Sequence, residues 1–186
     1  MRKLSVFNHI SLGAYFVNAN GDMSWAHQGS DDAEYQAFVS NNASGDSEML
    51  FGRVTYDMMA SFWPTTTAHQ QMPVVADKMN NGRKVVFSRT LTKADWTNTK
   101  LIKGDLVEEV RRMKEADGPD MVILGSGSVV AQLAAAGVID TYLVVVNPVA
   151  LGSGRTLFEG LPEIMRLKLT NSRAFKNGKT FLTFEA

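Results

Sequence analysis

A run of four apolar residues passes directly into a glycine-serine turn and then into a helix pattern over residues 121–133. The apolar run 121–124 predicts a buried strand, and residues 126–136 predict the helix that comes after it. Because Gly125 and Gly127 have no side chain, we expect a ligand to approach the backbone of this turn closely. The unpaired amides and the positive dipole at a helix start favour an anion there, most often a phosphate. A tight connection without any ligand explains the glycines equally well, so this segment alone leaves both interpretations open.

Composition narrows the classes of protein to consider. The 186 residues are 45% hydrophobic and 20% charged, which suits one globular domain over residues 1–186. Lysine plus arginine equals aspartate plus glutamate at 19 each, so nothing indicates a nucleic-acid partner or a membrane-surface partner. The chain has no cysteine, and its three histidines lack the spacing of metal ligands, so we expect no metal. With no signal segment and no membrane-spanning run, we expect a cytoplasmic protein.

Strand and helix patterns alternate along the chain up to residue 146. Strands are predicted at 3–10, 14–17, 48–51, 83–88, 121–124 and 141–146, and helices at 33–42, 52–62, 104–116 and 126–136. Residues 64–82 read as a loop with a short helix near 75–79, and residues 147–160 as an irregular loop. A closing hairpin is predicted from 166–175 and 179–184 around an Asn-Gly turn. The chain is therefore expected to be an α/β, three-layer domain with a mainly parallel central sheet, helices on both faces and a C-terminal antiparallel hairpin.

Two further strand ends carry groups that bind phosphate well. Gly52 follows a buried strand and opens a helix that carries Arg53 and Thr55 in its first turn, and another strand ends in Ser88 and Arg89. Arginine offers a planar fork for phosphate, and a hydroxyl offers a hydrogen bond. The alternative is that Arg53 is a solvated surface residue and Thr55 a helix cap. If the strands are parallel, all three junctions line one sheet edge, which favours an extended phosphorylated ligand.

Neither common nucleotide-binding motif is present. A P-loop needs Gly-x-x-x-x-Gly-Lys-Ser/Thr, which the chain lacks. The Rossmann pattern fails because Val130 stands where the third glycine or alanine is needed, and because the turn comes late in the chain. The turn is suited to phosphate but belongs to neither class.

Six short motifs occur in an order that resembles a known family. They are NGDMSW (20–25), LFGRVTY (50–56), VFSR (86–89), ILGSG (123–127), LAAAGVID (133–140) and NPVALGSGRTLF (147–158). The first four resemble the dihydrofolate reductase fold. The last two resemble, more specifically, the reductase domain of the riboflavin-biosynthesis deaminase/reductase and its stand-alone bacterial relatives. The resemblance covers nearly the whole chain.

The resemblance implies NADPH as hydride donor and assigns residues to it. Arg53 would lie near the 2′-phosphate, and two arginines suit NADPH better than NADH. The residues implied to hold the cofactor are Gly52, Arg53 and Thr55 at the phosphates, Ser88 and Arg89 at the adenine ribose and its phosphate, and Gly125, Ser126, Gly127, Ser128 and Val129 at the pyrophosphate. The family also implies a small-molecule substrate and a homodimer. Residues 143–146 and 148–158 suit such an interface, although burial within the chain explains them equally well.

The reaction is less constrained than the cofactor. The resemblance implies a 5-amino-6-(5-phosphoribosylamino)uracil reductase that transfers hydride to the ribosyl C1, or to another small heterocyclic or ribosylated acceptor. The alternatives are dihydrofolate reductase activity and a non-catalytic NADPH-binding homodimer. Folate reductases carry an acid on their first helix, so Asp31 and Asp32 are candidate proton relays, although helix-start charges are their simpler role. The family commonly has Ser-Leu-Asp-Gly after the first strand, whereas this chain has Gly13-Ala14 in the last two positions. It also lacks a deaminase zinc motif.

Overall fold

The computed structural model describes residues 1–28, 32–43 and 45–186. Its strands are β1 (Leu4–Ile10), β2 (Tyr15–Asn18), β3 (Glu48–Gly52), β4 (Lys84–Phe87), β5 (Thr99–Ile102), β6 (Met121–Leu124), β7 (Thr141–Val146), β8 (Gly154–Thr156), β9 (Lys168–Ala174) and β10 (Thr180–Glu185). Its α-helices are α1 (Ala33–Ala43), α2 (Arg53–Phe62), α3 (Thr66–Gln71), α4 (Pro73–Asn81), α5 (Leu106–Glu115) and α6 (Gly127–Ala135), and a short 3₁₀ turn covers Ser24–His27.

One eight-stranded sheet organises the molecule, with the strand order β5-β4-β3-β6-β1-β7-β10-β9. The first six of these strands are parallel, and β10 runs antiparallel to both β7 and β9. Helices α5 and α6 pack on one face, where Leu133 and Val130 are fully buried against Leu4 and Ile123. Helices α1, α2 and α4 pack on the other face. The expected α/β fold with its parallel sheet and C-terminal hairpin is confirmed.

The prediction of a loop over residues 64–82 is wrong for most of its length. The predicted short helix at 75–79 lies within α4, and α3 precedes it. The hydroxyl of Thr65 accepts a hydrogen bond from the Ala68 amide and so caps α3. Pro73 begins α4 at a position where its missing N–H is not needed. The polar composition of the segment hid these helices, since only Ala68, Val75, Ala76 and Met79 are buried there.

Two short strands are missing from the sequence prediction. β5 lies at the edge of the sheet and has only four residues, two of them polar, so it shows little apolar periodicity. β8 lies within the predicted irregular loop 147–160 and pairs with β2 in a separate two-stranded ribbon. Strands this short are defined by their pairing partners rather than by their own pattern.

Candidate functional site

The three strand–helix junctions predicted to bind phosphate lie side by side at one edge of the sheet. β4, β3 and β6 are parallel neighbours. Gly52 at the end of β3 is aligned with Phe87 of β4, so the segment that begins at Ser88 leaves the sheet beside the start of α2. The register between β3 and β6 brings Gly125 level with Gly52. The prediction that the three junctions share one edge is confirmed, and ligands of parallel sheets bind at this edge.

Ser126 ties two of the helix starts together. Its hydroxyl accepts a hydrogen bond from the Gly52 amide at 3.0 Å and donates one to the Leu124 carbonyl at 3.1 Å. Its own amide donates to the Thr55 hydroxyl at 3.1 Å. Because these bonds join the turn after β6 to the turn after β3, the positive ends of α2 and α6 are fixed next to each other.

The same bonds use three of the groups that were expected to face a ligand. The Gly52 amide, the Ser126 amide and the Thr55 hydroxyl all bond within the chain. The donors that remain are the first amides of the two helices, at Arg53 on α2 and at Gly127 and Ser128 on α6, because amides in a first helical turn have no acceptor within the helix.

The turn after β6 has a left-handed backbone. Gly125 has φ 59°, and Ser126 has φ 53°, which is unusual for a residue other than glycine. The side-chain amide of Asn8 donates to the Gly125 carbonyl at 2.9 Å and holds this carbonyl toward β1. The strained turn is thus supported from β1 and from β3.

The prediction that small size at Gly125 and Gly127 leaves space for a ligand needs correction. A Cβ at Gly125 would lie 3.1 Å from the Thr55 methyl carbon, and a Cβ at Gly127 would overlap the ring of Phe16 from β2. The glycines therefore accommodate neighbouring side chains of the protein itself. A ligand that reaches the first amides of α6 has to share this surface with Phe16 or displace it.

Substitution of Gly127 by alanine is expected to destabilise the protein by about 1–3 kcal/mol, because the new methyl group overlaps the Phe16 ring. In a Phe16→Ala background the same change is expected to be neutral or stabilising by up to about 1 kcal/mol, since alanine favours a helix more than glycine does. Urea unfolding of the four proteins of this double-mutant cycle measures the coupling. Additive effects of the two substitutions would show that the ring does not rest on Gly127.

Arg53 already has an anionic partner. Its guanidinium lies 3.2 Å from the Asp57 carboxylate one helical turn later, and both side chains are about half exposed, at 49% and 48%. An exposed pair of this kind is weak, so a phosphate can compete for the guanidinium. The position at the start of α2 suits the predicted phosphate role, which stays a prediction.

At the third junction, Ser88 and Arg89 have different environments. The Ser88 hydroxyl accepts hydrogen bonds from the amides of Thr90 and Leu91 and stabilises the turn after β4. Arg89 is exposed and has no ion-pair partner among the residues that the structure describes. Arg89 is thus the more available of the two for an anion.

An open groove of about 570 Å³ runs along α2 beside this junction. One wall includes Tyr56, Asp57 and Ala60 of α2, and the other includes Leu91 and Trp96. The groove reaches Asp57, the partner of Arg53, and Leu91, which lies two residues after Arg89. The groove thus has a partly apolar lining, which includes the ion-pair partner of Arg53 but neither arginine itself.

Ser128 and Val129, the remaining predicted residues at the start of α6, also differ in their exposure to solvent. Ser128 is exposed, whereas the Val129 side chain is buried in the core. A methyl carbon of Val129 lies 3.1 Å from the point where a Cβ on Gly52 would be. The Val129 amide donates to the Ser126 carbonyl at 2.8 Å. Val129 therefore packs beneath the turn on the core side, and of these two residues only Ser128 faces solvent.

Comparison with known proteins identifies the family of the chain. A family model, the RibD C-terminal domain, matches residues 2–181. The chain belongs to the RibD C-terminal domain family.

The chain is also similar to one curated protein and to two solved structures. The uncharacterized protein YyaP of Bacillus subtilis (strain 168) is 25% identical over 169 residues, which cover 91% of this chain and 87% of that protein. The structure of a protein assigned to riboflavin biosynthesis in Shewanella sp. PV-4 has a TM-score of 0.74 at 22% identity and 98% coverage of both chains. A deaminase/5-amino-6-(5-phosphoribosylamino)uracil reductase of Thermotoga maritima has a TM-score of 0.69 at 14% identity, and this chain covers 56% of its length. The two structures establish a shared fold.

In this RibD C-terminal domain, Asp32 has a structural role. Its carboxylate accepts hydrogen bonds from the amides of Glu34 and Tyr35 at the start of α1 and from the Asn177 amide in the terminal hairpin. Although desolvation raises the pKa of Asp32, these amide bonds outweigh it and hold the pKa below its ordinary value. An ionised cap accepts hydrogen bonds and has no proton to give at neutral pH. Asp31 lies outside the described residues, and the proton-relay role of both stays a prediction.

A second polar cluster lies at the same sheet edge, beside α1. The Lys179 ammonium donates to the Ala26 carbonyl at 2.8 Å and to the Asn147 side-chain oxygen. His9 lies between Asn147 and Tyr35, 3.4 Å from the Asn147 amide nitrogen and 3.4 Å from the Tyr35 hydroxyl. The pKa of His9 is lowered to about 4, by burial first and by the Lys179 charge second, so this imidazole is neutral.

Sequence reasoning missed Asn8, Phe16 and this second cluster. Their partners are 117 residues away for Asn8, and 153 and 32 residues away for Lys179. No local motif signals such contacts, because each forms only when distant strands pair.

Among the residues that the structure describes, no helix is long and apolar enough to cross a membrane.

Proposed function

We propose that the protein is an NADPH-dependent reductase that transfers hydride to a small heterocyclic or ribosylated acceptor. Membership in the RibD C-terminal domain family supports a reductase. The name of the Thermotoga maritima neighbour indicates the type of reaction, reduction of 5-amino-6-(5-phosphoribosylamino)uracil. The use of NADPH rather than NADH is our inference from the two arginines at the sheet edge.

The observation that carries this proposal is the Ser126 network. It holds the N-termini of α2 and α6 together at the ends of adjacent strands, and the positive ends of two neighbouring helix dipoles favour an anion between them. A dinucleotide pyrophosphate has the charge and the size for such a site. Arg53 and Arg89 lie toward β4, on the side where an extended cofactor would place its adenosine end.

Bound NADPH would supply the hydride, and the protein would bind and orient it. The first amides of α6 would hold the pyrophosphate, and Arg53 would hold the 2′-phosphate. The groove beside Asp57 and Leu91 would receive the adenine. Phe16 would move from Gly127 or share its surface with the cofactor, because the ring lies over the start of α6.

The test is a titration with NADPH and with NADH, monitored by tryptophan fluorescence, and then an assay of NADPH oxidation. The acceptors are the ribosylaminopyrimidine substrate and dihydrofolate. We expect saturable binding with a preference for NADPH and oxidation with the ribosylated pyrimidine. Oxidation with dihydrofolate alone would support the folate reductase alternative, and binding without oxidation of either would support a non-catalytic NADPH-binding protein. Absence of cofactor binding would refute the proposal.

We also propose a homodimer, as the family resemblance implies. β7 lies between β1 and β10, where Val144 and Val145 are buried within the chain and Leu143 and Val146 are partly exposed, so the use of residues 143–146 at an interface stays a prediction. β9 is an edge strand in which every residue is exposed, and its free backbone groups can pair with a second copy. Light scattering is expected to give twice the chain mass of 20.4 kDa, and the mass of a single chain would contradict the homodimer.

A further inference from the structure

Two lysines of this protein are almost completely buried, and their surroundings differ. Lys84 is 1% exposed and Lys179 is 2% exposed. The Lys84 ammonium donates to three carbonyls at the end of α4, those of Met79, Asn80 and Gly82, at 2.7–3.0 Å. Three acceptors satisfy all three donors of an ammonium, so Lys84 serves as a helix cap.

Lys179 is not satisfied in this way. Only the Ala26 carbonyl and the Asn147 side-chain oxygen accept from it, and no carboxylate pairs with it among residues 1–28, 32–43 and 45–186. A buried charge without a counter-charge is costly, since it has lost its hydration and gained little in return. Burial accordingly lowers the pKa of Lys179, and two acceptors leave the third N–H of its ammonium without one in the described part of the chain.

The groups around Lys179 carry no formal negative charge that would neutralise its ammonium. The Tyr35 ring lies 5.4 Å from the ammonium, and the neighbouring His9 is a neutral imidazole. The pKa of His27 is also lowered, by burial first and then by the Lys179 charge. The Tyr35 ring stabilises the ammonium through a cation–π contact but brings no formal negative charge. An anionic oxygen that accepts from Lys179 would form a charge-assisted hydrogen bond.

The position of the cluster relates it to the proposed cofactor site. His9 and Asn147 lie at the carboxyl ends of β1 and β7, and β1 is the neighbour of β6. Asn8 bonds to the Gly125 carbonyl, and the next residue along β1 is His9. One strand thus links the helix-start site to the lysine cluster, which lies beside α1 on the other side of β1.

We propose that Lys179, which Asn147 positions beside His9, binds a negatively charged oxygen of the hydride acceptor and thereby selects anionic acceptors. The Asn147 amide is already used, since it donates to the Ile10 and Val145 carbonyls at 3.1 Å. This inference rests on the proposed reductase function for the identity of the ligand, although anion binding itself does not depend on NADPH. The oxygen would accept the third hydrogen bond of the Lys179 ammonium. A carboxylate and a phosphate share this chemistry, and the experiment distinguishes them.

The experiment titrates the cofactor-free protein with formate and, separately, with inorganic phosphate at constant ionic strength. The NMR signals of the His9 ring report binding, because His9 contacts Asn147, the partner of Lys179. We expect saturable shifts with at least one of the two anions. Lys179→Met and Lys179→Gln are expected to weaken that binding by roughly 10- to 100-fold, the loss of one charge-assisted hydrogen bond.

Lys84→Met is the matched control, because it removes an equally buried ammonium whose donors are already satisfied. The folded protein, with its fraction measured by circular dichroism, is expected to keep the affinity for the anion within about twofold. A response to formate alone identifies a carboxylate site, and a response to phosphate identifies a phosphate site. No saturable shift with either anion, or an unchanged response in both Lys179 variants, overturns the inference. Because no cofactor is present, these outcomes are separate from a failure to bind or oxidise NADPH.

Discussion

Replacement of Arg53 by alanine is expected to weaken NADPH binding by roughly 10- to 100-fold and to change NADH binding by less than about threefold. The 2′-phosphate is the only difference between the two cofactors, and a charge-assisted hydrogen bond to it contributes about 1.5–3 kcal/mol. Arg53 lies at the start of α2, beside the turn fixed by Ser126, and its side chain is half exposed. Fluorescence titration of both cofactors measures the two losses separately.

Arg83 provides a matched control for this experiment. Its guanidinium is 56% exposed and lies 3.5 Å from the Asp46 carboxylate, so it resembles Arg53 in exposure and in pairing. Arg83 lies at the amino end of β4, whereas Arg89 lies beyond its carboxyl end. Arg83→Ala is therefore expected to leave both affinities unchanged. Equal losses of NADPH and NADH in Arg53→Ala would refute the 2′-phosphate role.

Replacement of Ser126 by alanine is expected to lower stability by about 1–3 kcal/mol and NADPH affinity by roughly tenfold. The variant leaves the Gly52 amide without its acceptor in a mostly buried position, which has this cost. The loss of affinity arises because the starts of α2 and α6 are no longer fixed together, and a tenfold loss corresponds to about 1.4 kcal/mol. Urea unfolding measures the first effect, and cofactor titration measures the second.

Ser126→Gly distinguishes the contribution of the hydroxyl to stability from that of the backbone strain. Both variants lack the hydroxyl, but glycine adopts the left-handed conformation at φ 53° without the cost of about 1 kcal/mol that other residues bear. We expect the glycine variant to be more stable than the alanine variant and to bind NADPH equally weakly. Ser128→Ala, which removes an exposed hydroxyl, is expected to change stability by less than about 0.5 kcal/mol. Full NADPH affinity in both Ser126 variants would show that the network does not organise the cofactor site.

The sequence predicted the frame of the molecule because the strongest local patterns coincide with the elements that form it. The buried strands β3, β6 and β7 are short apolar runs, and α5 and α6 have apolar residues at helical spacing. The polar helix α3 and the edge strand β5 lacked such patterns, so they were missed. Thr65 and Pro73 stabilise the starts of α3 and α4, but a single threonine or proline indicates a helix start only when a helix pattern comes after it.

The candidate site was predicted in part for the same reason. Glycines, hydroxyl side chains and arginines at predicted strand ends can be recognised in the sequence. Parallel strands then bring their carboxyl ends to the same side of the sheet. Which of these groups face outward was not visible. Ser126 uses its bonds within the protein, Val129 is buried, and Asp32 caps a helix.

The amino-acid sequence by itself determined the α/β class, the parallel strands and the three junctions with phosphate-binding groups, because these depend on local periodicity and on residue types at strand ends. Only the tertiary structure decided that Phe16 lies on Gly127, that Ser126 joins two helix starts and that Lys179 is buried without a carboxylate partner in the described part of the chain. These features depend on contacts between residues far apart in the chain. The chain pairs its strands in an order different from their order in the sequence, so no local pattern specifies those contacts.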